Sequence, residues 1–141
     1  MREILFRGKR KDNGEWVYGR LLYFKASVGT EVLALIVESC EWDNSNEWFN
    51  LGKRARVIPE SVGQYTGLTD KNGKRIFEGD IVNDEQSGYN YFIKWFPEYA
   101  CFSLANKNGN MEFGCDEFEI FLNDLIIIGN IHDNPELLKG E

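Results

Sequence analysis

The 141-residue chain has few prolines and cysteines, a single histidine and no long apolar run. Three prolines and fourteen glycines are too few for a collagen-like or disordered chain. No apolar run approaches the length of about 18 residues that a membrane helix needs, and no apolar segment follows Met1. We therefore expect a soluble protein in the cytoplasm that makes no contact with a membrane.

Cysteine and histidine are too scarce and too dispersed to indicate a metal site. The three cysteines, Cys40, Cys101 and Cys115, are odd in number and lack paired spacing. Such a pattern favours free thiols in a reducing compartment over a disulfide framework. Zinc ligands usually come in close pairs, and these cysteines lie far apart. The sequence predicts no bound metal and no cofactor.

The motifs of common catalytic sites are absent as well. No nucleophile motif surrounds a serine or cysteine, and there is neither a Walker loop nor a Rossmann fingerprint. Asp70, Glu78 and Asp80 are close in sequence, but acids at turns and strand ends are common on an acidic protein. The sequence therefore predicts that the protein is not an enzyme. A cleft that gathered these acids with His132 would indicate the opposite.

The sequence is instead rich in aromatic residues and in short alternating segments. Aromatic residues make up 14% of the chain, which supplies the bulk for a well-packed core. Alternation of apolar and polar residues is typical of half-buried strands, and it predicts an all-β protein. Asn134 as N-cap and Pro135 at the first helical position predict a short terminal helical turn.

Three Asn-Gly dipeptides, at 13–14, 72–73 and 108–109, predict hairpin turns. Both central residues of a type I′ turn take positive φ, which Asn and Gly adopt at least cost. The central hairpin, 64–82, gives the clearest signal. An aromatic residue, a glycine and Asn-Gly recur at one offset in 6–14 and 65–73, which suggests a duplicated hairpin element. Shared turn preferences explain the same similarity equally well.

The composition changes in the segment 41–56, where turn-forming residues surround two tryptophans. We predict a variable loop here, with an N-terminal β unit over 1–58 and a second unit over 59–141, although the two could form one compact body. The net charge is +2 for residues 1–58 and −9 for residues 59–141. An acidic surface that keeps the protein soluble is the simplest explanation.

A short basic segment stands near the N-terminus. Arg7, Lys9, Arg10 and Lys11 lie close to several aromatic residues, as in a surface that binds phosphates and stacks bases. A structural explanation accounts for the same pattern. The charges would lie at a strand end, where they discourage pairing with another strand edge, and the aromatic residues would lie in the core. We favour the strand end, so nucleic acid is an alternative partner and not the preferred one.

Several segments resemble the YopX family of phage and prophage proteins. The resemblance rests on residues 57–73 and 76–82, on 127–138, and on 6–10 together with 16–19. Ser61 and His132 are minor departures, since threonine and an aromatic residue are commoner there. We expect structural roles for the motif residues Gln64, Tyr65, Thr66, Gly67, Asn72, Gly73, Gly79, Asp80, Gly129, Asn130, Asn134 and Pro135.

This resemblance implies an all-β fold with an SH3-like barrel in the C-terminal part. It also implies a phage- or prophage-encoded protein without an established activity, in the cytoplasm of a bacterial host. We therefore expect a non-catalytic accessory module that binds a host or phage protein and forms homo-oligomers. Self-association is expected because the aromatic residues exceed the needs of one small core and because strand edges are exposed.

Overall fold

Antiparallel strands carry most of the regular structure, so the all-β prediction is confirmed. The computed structural model describes residues 2–25, 27–29, 31–122 and 124–139. By its internal contacts the chain divides into two units, residues 1–64 and 65–141. The predicted boundary after residue 58 lies six residues earlier than this division.

The first unit consists of a closed sheet and a two-stranded ribbon. Its strands in chain order are β1 (Phe6–Lys9), β2 (Trp16–Lys25), β3 (Val32–Val37), β4 (Cys40–Asp43), β5 (Trp48–Leu51) and β6 (Arg54–Val57), of which β4 and β5 form the ribbon. A 3-10 turn (Pro59–Ser61) leads into β7 (Gly63–Thr69), which pairs with β1 at its start and then crosses into the second unit.

Strands β6, β3, β2 and β1 lie side by side in that order, and the sheet closes on itself. Arg10 forms a bridge with Val57, and the N–H of Ile58 donates to the carbonyl of Lys9 at 2.8 Å. The closed strands surround a small core, whose buried members are Val17, Ala34, Ile36, Ala55 and Val57.

The structure corrects the predicted loop over 41–56. Strands β4 and β5 pair as a two-stranded ribbon, and β6 follows directly. Asp43 holds the turn of the ribbon, because its carboxylate accepts hydrogen bonds from the hydroxyl of Ser45 at 2.6 Å and the amide of Asn46 at 2.8 Å. The turn-like composition of this segment therefore belongs to the tip of a hairpin.

The second unit contains a four-stranded sheet. Its elements are the end of β7, then β8 (Arg75–Phe77), β9 (Asp80–Asp84), β10 (Asn90–Phe96), β11 (Cys101–Ala105), α1 (Cys115–Leu122), β12 (Leu125–Asn130) and a 3-10 turn (Pro135–Leu138). The sheet order is β11-β10-β9-β12, and β8 pairs with β7. An SH3-like barrel in this part of the chain stays a prediction.

The sequence pattern of residues 117–124 is compatible with either a strand or a helical turn. Helix α1 covers most of this segment, and residue 123 lies outside the described residues. Phe118 on this helix packs into the core of the second unit. The core residues buried with it are Ile76, Val82, Ile93, Leu104 and Leu125. Burial of one aromatic side chain thus fixes the helix on the sheet.

The Asn-Gly turns form, but the predicted type I′ geometry is wrong. Gly73 and Gly109 have φ of 81° and 82°, whereas neither Asn72 nor Asn108 has a positive φ. These two turns are instead three-residue loops, 71–73 and 107–109, each of which ends in a left-handed glycine, as in hairpins with a bulge. Asp70 stabilises the first of these loops, since one of its carboxylate oxygens accepts the N–H groups of Asn72 and Lys74, both at 2.9 Å.

The two hairpins of the suggested duplication share a turn glycine and differ elsewhere. Four residues, 11–14, separate the hydrogen-bonded pair Arg10 and Glu15, whereas three, 71–73, separate Asp70 and Lys74. Gly67 has a positive φ, and its counterpart Gly8 does not. Duplication of the element stays a prediction.

Two cysteines are joined in the second unit. Cys101 begins β11 and Cys115 begins α1, and the two form a disulfide with a Cα–Cα separation of 6.2 Å. The expectation of free thiols is therefore wrong for this pair, because the fold brings together residues that are 14 positions apart. Cys40 is free and exposed.

Residues 131–134, between β12 and the terminal 3-10 turn, form a tight loop held by asparagine side chains. The Asn130 side-chain oxygen accepts the N–H groups of His132 and Asp133 at 3.0 and 2.9 Å. Asn134 does not cap the turn that follows it; its side-chain oxygen accepts the N–H of Asn130 at 3.3 Å. A Cβ on Gly129 would lie 2.5 Å from that same oxygen, so this position has no room for a side chain.

Asp70 is expected to be a major determinant of stability. Besides its turn, its second carboxylate oxygen accepts the N–H of Ile127 in β12 at 3.1 Å, and the residue is buried. Asp70→Ala leaves these donors without their partner, so we expect a loss of roughly 3 kcal/mol in the free energy of unfolding. Urea denaturation followed by circular dichroism measures this loss.

Asn106→Ala is the matched control for Asp70→Ala. Asn106 holds the same kind of loop by accepting the N–H groups of Asn108 and Asn110, and these bonds are exposed. We expect this variant to lose only about 1 kcal/mol. Equal losses for the two variants would contradict the role given to the bond between Asp70 and β12.

Gly129→Ala is expected to destabilise the protein by about 1–3 kcal/mol, because the added methyl displaces the Asn134 carboxamide. Gly114→Ala is the control, since a Cβ there meets no atom within 4 Å. Thermal unfolding of both variants compares the two sites. Equal melting temperatures would show that the loop adjusts without cost.

Candidate functional site

The basic N-terminal segment offers little exposed positive charge. Arg7 is only 6% exposed, and its guanidinium carbon lies 4.7 Å from the centre of the Trp16 ring. Lys9 is half-buried, with its amine 5.9 Å from the same ring. Lys11 is the exposed member of the segment that has no ion pair among the described contacts. Phosphate groups would therefore find a weaker site here than the four charges in the sequence suggest.

Arg10 is held by a neighbouring acid. Its guanidinium donates two hydrogen bonds to the carboxylate of Asp12, at 2.9 and 2.8 Å. This pairing holds the pKa of Asp12 below its ordinary value and raises the pKa of Arg10. The charge of Arg10 is thus largely neutralised by a local partner.

The acids of the central hairpin bind backbone groups. Asp70 holds its turn as described above, and buried Asp80 accepts the N–H of Phe77 at 2.8 Å. His132 lies beside Gly79, since a Cβ on that glycine would be 3.6 Å from the Nε2 atom. These contacts give Asp70 and Asp80 structural roles.

The second unit has an open cleft of about 310 Å³. It is lined by Tyr89, Asn90, Tyr91, Asn106, Lys107, Asn108, Glu112, Leu137 and Leu138. Two hydrogen bonds join lining residues: the amide of Asn90 donates to the carbonyl of Leu137, and that of Asn106 donates to the carboxylate of Glu112. The acids of the central hairpin and His132 are not among the lining residues.

The part of the chain that the structure describes has neither a metal-binding cluster nor a membrane-spanning helix. Within it, no group of three or more His, Cys, Asp or Glu side chains is arranged to hold a metal ion. Among the same residues, no helix is both long and apolar enough to cross a membrane.

The ribbon of β4 and β5 presents two tryptophans to solvent. Trp42 is 60% exposed and Trp48 is 64% exposed. Trp42 pairs with Phe49 and Trp48 pairs with Asp43, and residues paired across antiparallel strands point to the same face. Because 42 and 43 are consecutive, the two tryptophans lie on opposite faces. We call residues 40–51 the tryptophan ribbon.

Bonds at the tip of the ribbon stabilise its negative charge. The hydroxyl of Ser45, then the amide of Asn46 and the backbone, hold the pKa of Asp43 below its ordinary value. Glu41 and Glu47 are exposed. The ribbon therefore combines exposed aromatic rings with three acidic side chains.

The sheet of the first unit has a second surface that faces away from its core. Strand β2 alternates: Val17 belongs to the core, so Tyr18, Arg20 and Phe24 point outward. Register places Arg20 opposite Val37, which is in turn opposite Arg54. We call this surface the outer face; it also contains Leu22, Leu33, Leu35 and Arg56.

Exposure on the outer face is mixed. Tyr18 and Phe24 are 46% and 47% exposed, and the arginines Arg20, Arg54 and Arg56 are exposed. The backbone carbonyl of Ile4 accepts from Arg20, that of Leu51 accepts from Arg54 at 3.1 Å, and Glu31 pairs with Arg56 at 2.6 Å. The face therefore presents the charges of Arg20 and Arg54 with apolar and aromatic side chains around them, while the charge of Arg56 is balanced by Glu31.

Sequence reasoning missed both of these surfaces as sites. The two tryptophans were visible in 41–56, but turn-like composition concealed the paired strands around them. Arg20, Arg54 and Arg56 are separated in sequence and meet only through strand pairing. The alternation within β2 was the available signal for the outer face.

The motif residues of the central hairpin mostly shape the backbone. The hydroxyl of Thr66 donates to the carbonyl of Ile76 at 2.9 Å, next to the bulge that contains Gly67. The ring of Tyr65 packs against that of Phe77, and Gln64 pairs with Phe6. At the other end of the motif, Pro135 opens the terminal 3-10 turn.

Comparison with solved structures finds a similar fold. The crystal structure of protein EF1440 from Enterococcus faecalis matches with a TM-score of 0.65, over 99% of this chain and 100% of that chain. The sequences are 21% identical, so the similarity concerns the fold alone. No curated protein matches this chain in sequence.

Comparison with protein families agrees with the resemblance noted in the sequence. The family described as YopX protein matches residues 5–139, which is nearly the whole chain. The match includes both units and all the motif residues discussed above. The chain therefore belongs to the YopX family.

Proposed function

We propose that this protein is a non-catalytic β module that binds partners and associates with itself. On this proposal it is a phage- or prophage-encoded accessory protein in the cytoplasm of a bacterial host. Membership of the YopX family supports the phage origin, because the sequence motifs resemble those of phage and prophage proteins. The partner is a second copy of the chain, a host protein or a phage protein.

One observation carries the proposal of self-association: the tryptophan ribbon exposes both of its indole rings. Trp42 and Trp48 are each exposed by more than half, on opposite faces of one hairpin. Tryptophan is enriched at the energetic centres of protein interfaces and buries a large apolar area. A hairpin that leaves two such rings in water is better explained as a contact element than as packing.

The placement of the acids supports a role without catalysis. Asp70 and Asp80 are buried and use their carboxylates as acceptors for backbone N–H groups. Carboxylates in this situation are committed to the fold, and the cleft of the second unit is built from other residues. Binding through surfaces is therefore the role that the geometry favours.

Self-association predicts a mass that rises with concentration. Light scattering from micromolar to near-millimolar protein should exceed the monomer mass of 16.3 kDa. Trp42→Ser combined with Trp48→Ser should weaken association at least about tenfold, because the buried indole area is lost. Tyr99→Ser is the control: this residue is an exposed aromatic of the second unit, and its loss should leave the association constant unchanged.

A strictly monomeric protein over the whole range would overturn self-association. If Tyr99→Ser reduces the association constant as much as the double tryptophan variant does, exposed aromatic residues contribute to association wherever they lie on the protein. Circular dichroism of each variant establishes that the fold is intact before the masses are compared.

A further inference from the structure

We infer that self-association is an exchange of ribbons between two copies. The tryptophan ribbon of one copy lies across the outer face of the first unit of the second copy, whose own ribbon is seated on the first copy in the same way. This inference rests on the proposed self-association and names the two surfaces that form it.

Charge complementarity is the first argument. Residues 40–51 contain Glu41, Asp43 and Glu47 and no lysine or arginine, so the ribbon has a net charge of −3. The remainder of the first unit, residues 1–39 and 52–64, contains ten lysines and arginines and six acids, a net charge of +4. Opposite charges attract the ribbon to this surface and orient it there.

Side-chain chemistry is the second argument. On the outer face, half-buried Leu22 and Leu35 lie in line with Arg56, and the neighbouring row contains Arg20 and Arg54, so apolar side chains lie next to exposed arginines. Arginine also packs favourably over indole rings. The first unit already contains one such pair in Arg7 and Trp16, at 4.7 Å.

The second unit is the weaker partner for an acidic ribbon. Residues 65–141 contain six lysines and arginines and fourteen acids, a net charge of −8. Lys107 and Glu112 are the charged residues that line its cleft, so the lining itself has no net positive charge. Repulsion therefore disfavours this cleft as the seat of the ribbon.

Symmetry is the third argument. Ribbon and outer face belong to the same chain, so a twofold axis creates two identical contacts at once. The two contacts close the assembly, and no ribbon or face is left to recruit a third copy. Exchange of ribbons therefore predicts a dimer.

Paired charge reversals test the exchange. Arg20→Glu with Arg54→Glu makes the face acidic, and Glu41→Arg with Glu47→Arg makes the ribbon basic. Asp43 is left in place because its carboxylate holds the turn. Each double variant alone then sets like charges against each other, so its dimer should be at least about tenfold weaker.

An equimolar mixture of the two double variants is the decisive sample. In this mixture the basic ribbon of the Glu41→Arg, Glu47→Arg chain contacts the acidic face of the Arg20→Glu, Arg54→Glu chain. The unchanged acidic ribbon of the second chain contacts the unchanged basic face of the first. Both contacts are attractive again, so sedimentation velocity should show a heterodimer where each variant alone is a monomer. Arg20→Gln with Arg54→Gln, a neutral pair, should give an intermediate constant if the reversed face fails to fold.

Lys74→Glu with Lys139→Glu is the matched control. It makes the same change in net charge at two exposed positions of the second unit, and it should leave the wild-type dimer unchanged. Loss of the dimer in this control would overturn the inference, because total charge would then explain the effect.

The remaining outcomes separate the two proposals. A wild-type monomer overturns self-association and ribbon exchange together. A wild-type dimer that persists in both double variants overturns the exchange alone and leaves self-association standing. A mixture that stays monomeric, with both variants folded, also overturns the exchange.

A gel shift tests nucleic acid as the alternative partner of the outer face. If mixed-sequence DNA or RNA is shifted by the wild type and not by Arg20→Glu with Arg54→Glu, while that variant keeps the dimer, the face binds nucleic acid instead.

Discussion

Side chains alternate across every β-strand, and this constraint decides which surfaces the first unit presents. Val17 fills the core, so Tyr18 faces outward, and the same alternation turns Arg20 away from the core. Strand pairing then sets Arg20 in line with Arg54 through Val37. Because these residues are distant in sequence, the cationic outer face is a product of register. A shift of one residue would exchange it with the core.

Short polar side chains hold the connections between the strands. Asp43, Asp70 and Asn106 each accept hydrogen bonds from residues two or more positions later, which satisfies donors that a tight turn leaves unpaired. Asp70 adds a bond to β12, so one carboxylate both closes a hairpin and attaches it to the sheet. Acids that are prominent in the family motif therefore stabilise the fold by accepting backbone N–H groups, and the candidate contact surfaces lie elsewhere.

Acidic and basic residues are segregated within the first part of the chain as well as between its two halves. The balance of +2 over residues 1–58 combines an acidic ribbon with a basic remainder, and these two parts have opposite roles in the proposed association. The basic segment near the N-terminus contributes little exposed positive charge, because Arg7 is buried against Trp16 and Arg10 is paired with Asp12. Exposure and local pairing thus determine which charges a partner meets.

The sequence by itself determined the all-β class, the positions of the three Asn-Gly turns and the family, because strand periodicity, turn residues and motifs are local properties. Only the tertiary structure decided that Cys101 and Cys115 are joined, that Phe118 lies on a helix, and that 41–56 is a paired ribbon and not a loop. The disulfide, the packed helix and the paired ribbon depend on residues that are brought together by folding, and distance along the chain does not encode such contacts. The φ of Asn72 is a local property that the Asn-Gly pattern did not predict, since the Asp70 carboxylate accepts the N–H groups of Asn72 and Lys74 and favours a different turn.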